Sequence, residues 1–100
     1  MTHHLLKTEP DYFWSVASGD KNFELRENDR EFAVGDTLNL AEYSPTTESF
    51  TGYVVAARVT YIINGPIWGL MQGYCIMGIQ LYSDQAAAYE AGARLADDIF

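Results

Sequence analysis

The chain predicts an α+β fold, a small mixed β-barrel of about five or six strands with one early helix and a C-terminal helix. Three observations carry this expectation. One hundred residues, 48% of them hydrophobic, supply one modest core and not two. Most of the chain between Phe23 and Tyr82 reads as short runs that alternate apolar with polar residues or are rich in β-branched and aromatic ones. Helix signals are confined to two places, Pro10 to about Ser18 and onward from Ser83. Residues 1–82 are therefore read as the barrel, and residues 83–100 as a helical extension of the same domain.

His4-Leu5-Leu6 opens the chain as a short strand. Thr8 or Glu9 then stands near a helix cap, with Pro10 in the first turn, where its missing N–H does no harm. Phe13, Val16 and Ala17 share one face of that helix, and Gly19 follows where a left-handed residue usually ends one. A strand near Phe23 to Glu27 comes next, then a turn at Asn28-Asp29-Arg30 whose side chains can bond the backbone. Val34-Gly35-Asp36 turns into a strand from Thr37 to Tyr43, which ends in the polar loop Ser44 to Ser49. Tyr53 to Ile63 forms the longest β-like run, expected to be central and bent. Asn64-Gly65-Pro66 breaks it, a loop carries Trp68, and Tyr74 to Tyr82 makes the last strand. Ser83 can cap a helix through Asp84 to Ala91, with Leu95, Ile99 and Phe100 available for packing.

Charge narrows the classes of partner. Six basic residues stand against fourteen acidic ones, a net charge of −8, which opposes the basic footprint of a duplex-binding protein. A nucleic-acid role would therefore need a small pocket that reads one nucleotide or a short single-stranded element. The acidic surface could alternatively bind a basic partner. No apolar run is long enough to span a bilayer and no secretory pattern opens the chain, so a soluble, cytoplasmic protein without a membrane partner is expected. Cys75 is the lone cysteine, lies in an apolar run, and reads as a buried structural thiol.

The most informative segment is Gly19-Asp20-Lys21-Asn22-Phe23-Glu24-Leu25-Arg26. On a strand its alternation places Phe23 and Leu25 on one face, expected to enter the core, and Glu24 and Arg26 together on the other. Lys21 falls in the turn entering the strand. Two cations flanking one carboxylate can grip an anion or a polar base edge, with the carboxylate accepting protons from the ligand. Gly19 needs no such role, because helix termination explains it.

This Gly-x-Lys-x-x-Glu-x-Arg string, set in a helix-to-strand turn, resembles the signature of the ASCH (activating-signal-cointegrator homology) superfamily of small PUA-like barrels. The resemblance extends to Leu5-Leu6-Lys7 and Tyr12-Phe13 before the string, and to Asn28-Asp29-Arg30, Phe32, Val34-Gly35-Asp36 and Leu38 after it. Thr60-Tyr61-Ile62 and Gly73-Tyr74 complete it, over about residues 4–82. The whole pattern looks like a compact bacterial and phage branch of unknown function. It implies a cleft lined by Lys21, Glu24 and Arg26 that receives a nucleotide, a modified base or short single-stranded RNA, with no cofactor. Some superfamily members hydrolyse an acylated cytidine using a lysine, a threonine and a glutamate. Here Glu24 stands where that threonine would be, so the motif lacks its nucleophilic hydroxyl and recognition is preferred to hydrolysis.

Around this motif the ligand-binding candidates are Lys21, Glu24, Arg26, Arg30, Trp14 and Tyr43, the two aromatics as platforms for an unpaired base. Arg30 would extend the cationic rim, and Lys7 is read as an exposed lysine that a barrel could turn toward the same cleft. Trp68 is expected to be the least buried aromatic. His3 and His4 point to opposite faces of a strand and make a poor chelating pair, so no metal site is assigned. Two alternatives stay open. In an amidohydrolase of modified nucleosides, Lys21 and Glu24 would be the proton-transfer groups; a ribonuclease ranks behind it. In an acidic interaction protein, such as a phage product occupying a basic surface, Asp84, Glu90, Asp97 and Asp98 would carry the contact.

Overall fold

In a computed structural model of the chain, residues 1–85 are described. Strand β1 (His3–Thr8) is followed by helix α1 (Pro10–Ala17), then strands β2 (Phe23–Glu27), β3 (Thr37–Ser44), β4 (Ser49–Asn64) and β5 (Tyr74–Leu81). The five strands form one mixed sheet in the order β1-β3-β4-β5-β2, curled into a half-barrel. β1 pairs parallel with β3, and the other neighbours are antiparallel. The expected C-terminal helix lies outside the described residues. Among the described residues no helix is long and apolar enough to cross a membrane.

Register assigns the inner face. Leu6 stands opposite Leu40, Leu40 opposite Val55, Leu38 opposite Ala57 and Val59 opposite Ile79, and all of these are core residues. The long strand β4 bends as expected: its pairing with β5 shifts between Val59 and Tyr61, so the inward positions change from Val55, Ala57 and Val59 to Ile62. An extra residue on one strand of a pair has this effect, because side chains alternate with a period of two.

Helix α1 packs Phe13 and Val16 into the core, with Ala17 against it. Its end matches the expectation: the Ser18 and Gly19 amides donate to the Trp14 and Val16 carbonyls, and Gly19 takes a φ of 86°. Its start matches as well, with Pro10 in the first turn. Glu9 is the N-cap residue, and its side chain caps no amide. The turn at Asn28 also matches, since its Oδ1 accepts from the Phe32 amide at 3.0 Å. Trp68 is 90% exposed, more than any other aromatic among the described residues. Cys75 is fully buried, and burial pushes its thiol pKa up.

Strands β1 and β2 are the two edges of the sheet, and no backbone ladder joins them. The barrel is therefore open along one seam. Arginine side chains bridge that seam instead: Arg26 Nη2 donates to the Lys7 carbonyl at 2.9 Å, and Arg30 Nη1 to the Leu5 carbonyl at 2.9 Å. Edge carbonyls that a closed barrel would pair with strand amides are thus satisfied by guanidinium groups.

Candidate functional site

The site lies at this seam, and its geometry follows from the pairing of β2 with β5. Glu24 stands opposite Met77 and Arg26 opposite Cys75, two residues with no exposure at all. Opposed residues on paired strands share a face, so Glu24 and Arg26 point inward. This reverses the expected orientation of the segment. Phe23 and Leu25 are 46% and 55% exposed, whereas Glu24 is 3% exposed. Alternation shows which residues share a face; only the partner strand shows which face is inside.

A carboxylate on an inner face needs partners for its oxygens, because isolated burial of an ion is prohibitive. Glu24 has one on each side. Lys21 Nζ donates to Oε1 at 2.9 Å, and Arg26 Nε donates to Oε2 at 2.9 Å. Lys21 is held in turn by its Nζ bond to the Phe23 carbonyl at 2.8 Å and by its own amide on the Ser15 carbonyl at 2.9 Å. Its ammonium also sits 4.8 Å from the centroid of the Phe23 ring and 5.6 Å from that of Tyr12. Arg26 spans three groups: Glu24, the Lys7 carbonyl, and the Thr8 hydroxyl at 3.1 Å.

These residues border a cleft of about 440 Å³ along the edge of β2, which Lys7, Tyr12, Phe23 and Leu25 also line. Because the cleft straddles an edge strand, it meets charged side chains from one face and apolar ones from the other. Its volume falls within the range of small-molecule pockets, about 300–1,000 Å³. Lys7, Lys21, Arg26 and Arg30, four of the six Lys and Arg residues in the chain, stand along this one seam. Three of these cations, Lys7, Lys21 and Arg26, line the pocket together with two carboxylates, Glu9 and Glu24.

Sequence reasoning placed the other candidates unevenly. Arg30 lies on the seam, bonded to the Leu5 carbonyl and 3.8 Å from Asp29, but does not line the cleft. Tyr43 packs edge-on against Phe50 and lies under the ammonium of Lys7. Trp14 stands apart from the cleft; its indole N–H donates to Glu42 Oε2 at 2.7 Å, and its ring meets Tyr53. His4 is buried and bonded to Asp36. Among the described residues no group of three His, Cys, Asp or Glu side chains is placed to hold a metal ion.

Two participants in the site, and one buried carboxylate outside the cleft, escape sequence reasoning. The sequence offers Thr8 only as a helix cap, yet its hydroxyl meets Arg26 across the seam. Tyr12 belongs in the sequence only to the motif's context, yet it lines the cleft. Glu42 is a second buried carboxylate, with Trp14 on one oxygen and Thr51 Oγ1 on the other at 2.7 Å. The one charged residue in the strand segment Leu38 to Tyr43, whose other positions are apolar or aromatic except Asn39, is the available signal for it.

The chain matches the family model described as a domain of unknown function (DUF3850) over residues 3–79, and it belongs to that family. It is also similar to the "Uncharacterized 12.9 kDa protein in GpA 3'region" of Escherichia phage P2, with 38% identity over 65 residues. That match covers 65% of this chain and 58% of the phage protein. Both findings agree with a small, phage-related branch of unknown function.

Proposed function

We propose that this member of the DUF3850 family is an ASCH-type, PUA-like binding module. Its seam cleft would receive a nucleotide, a modified base or the end of a short single-stranded RNA. The observation that carries this reading is the buried Glu24 carboxylate, held by Lys21 and Arg26 at the wall of a cleft whose other wall offers Phe23 and Tyr12. A carboxylate accepts hydrogen bonds only, so it selects the amino or imino edge of a base, while the rings offer stacking surface. Concentration of cations at the seam of an otherwise acidic chain suits one short anionic ligand and disfavours a duplex.

The test is native mass spectrometry of the purified full chain, followed by analysis of whatever small molecules and oligonucleotides it releases. The reading expects a nucleotide or short RNA on the wild type and its loss from Arg26→Ala, with circular dichroism confirming that the variant folds. An empty cleft in both proteins would count against it.

The amidohydrolase reading retains one supporting observation, the Thr8 hydroxyl in the same cleft. Release of product from an acylated nucleoside, abolished by Thr8→Val and by Lys21→Ala in folded protein, would favour it. That hydroxyl is engaged by Arg26 and by a 3.4 Å contact to the Leu6 carbonyl, with no general base bonded to it among the described residues, so binding is the preferred reading.

A further inference from the structure

The cations of the seam are not equivalent. Lys21 and Arg26 share the charge of Glu24, and Arg30 faces Asp29 and a backbone carbonyl. Lys7 is different. It lines the same cleft, yet its ammonium makes no hydrogen bond or ion pair with any described residue. What holds it is aromatic: Nζ lies 4.6 Å from the centroid of Tyr43 and 5.8 Å from that of Phe50. These two rings pack edge to face with centroids 5.0 Å apart, at the β3–β4 hairpin.

Ring faces fix the position of an ammonium without neutralising it, and they take none of its three N–H donors as a full hydrogen-bond acceptor would. Lys7 is also tethered from behind, since its own carbonyl accepts the Arg26 bond that closes the seam. A placed cation whose donors meet no acceptor among the described residues, on the residue whose carbonyl receives the seam-closing Arg26 bond, is suited to a tetrahedral oxyanion.

We infer that Lys7 is the phosphate seat of this cleft, so that its ligand is a nucleotide or a phosphodiester-linked strand and not a free base or nucleoside. The inference rests on the base-binding reading above and assigns it a ligand class. Recognition divides between two places: Glu24 and the rings beside it meet the base, and Lys7 meets the phosphate. The −8 net charge of the chain then favours a single phosphate contact over a polyphosphate.

The experiment is calorimetric titration of the full chain with the four ribonucleosides, their 3′- and 5′-monophosphates, and inorganic phosphate, at two salt concentrations. At least one monophosphate should bind about tenfold tighter than its nucleoside, the scale of a charge-assisted contact. Its affinity should fall with salt at a log–log slope of about −0.7, one phosphate contact. Lys7→Met keeps the packing on Tyr43 and Phe50; it should reduce the monophosphate to the level of the nucleoside measured on the same variant and remove the salt slope. Lys7→Arg should restore the preference.

Equal binding of nucleoside and monophosphate, or a phosphate preference that survives Lys7→Met, overturns the Lys7 assignment and leaves base recognition standing. Lys7-dependent binding of inorganic phosphate with no gain from an attached base keeps the seat and overturns base recognition. No binding by any probe overturns both.

Discussion

Asp36 and Glu24, two of the three buried carboxylates among the described residues, look alike in burial and differ in what surrounds them. Asp36 is 4% exposed and Glu24 is 3% exposed. Asp36 Oδ1 accepts from the Thr2 amide at 3.1 Å, and Oδ2 accepts from the Ala33 amide at 3.0 Å. His4 Nε2 donates to the same Oδ2 at 2.8 Å, since a carboxylate can only accept. Two of its three partners are thus main chain, and they tie the start of β1 to the turn before β3. Glu24 has no backbone partner among the described residues. Two long side chains hold it, each partly exposed and each bordering a cleft. Burial of an acid is therefore no sign of function by itself; a carboxylate held by rigid backbone serves the fold, and one held by movable cations at an opening can exchange partners with a ligand.

Asp36→Ala should break the comparison most sharply. Removing one partner of a buried charged network typically costs about 3–5 kcal/mol, and here two amides and an imidazole lose their acceptor together. Chemical denaturation should show a loss of that order. Acid should mimic it. Burial pushes the Asp36 carboxyl up, but the bonds from His4, Thr2 and Ala33 outweigh burial and bring its pKa below the ordinary 3.8. A depressed folded value means that the stabilisation is complete above the unfolded value and drains away as pH falls through the folded one. The wild type should thus lose stability below about pH 4, and Asp36→Asn should flatten that part of the profile.

Glu24→Gln should destabilise less, by about 1–3 kcal/mol, because Lys21 and Arg26 can turn to water when the charge is gone. Its effect on ligand retention should be the larger one, measured by the mass spectrometry proposed above. A stability loss equal to that of Asp36→Ala, with ligand retention intact, would place Glu24 in the structural class. The smallest effect should come from Trp14→Phe, which removes one donor from Glu42 while keeping the ring contact with Tyr53. A loss of about 1 kcal/mol in melting experiments is expected. Nucleotide binding should not change, since Trp14 stands apart from the cleft.

The comparison also shows how far a one-dimensional pattern reaches. Helix α1 was legible because its signals are local: Pro10 near its start, Phe13 and Val16 one turn apart, Gly19 after its end. The five strands were legible from apolar runs, from alternation of apolar with polar residues and from β-branched and aromatic content, with Ser49–Asn64 starting a few residues earlier than expected. Lys21, Glu24 and Arg26 were legible as a group because they lie within six residues and share a strand and its turn. Their setting was not. The inward orientation of Glu24 depends on its pairing with Met77, more than fifty residues away in the chain.

By itself, then, the sequence determined the elements, the single small core, the acidic balance and the grouping of Lys21 with Glu24 and Arg26, because propensity, period and spacing act over a few residues. Only the tertiary structure decided that Glu24 and not Phe23 faces inward, that β1 and β2 leave a seam, and that Lys7, Thr8 and Tyr12 meet the motif there. The reason is physical. Which face of a strand is buried, and which side chains satisfy an unpaired edge, depend on strand pairing between distant residues, and no local periodicity encodes a partner.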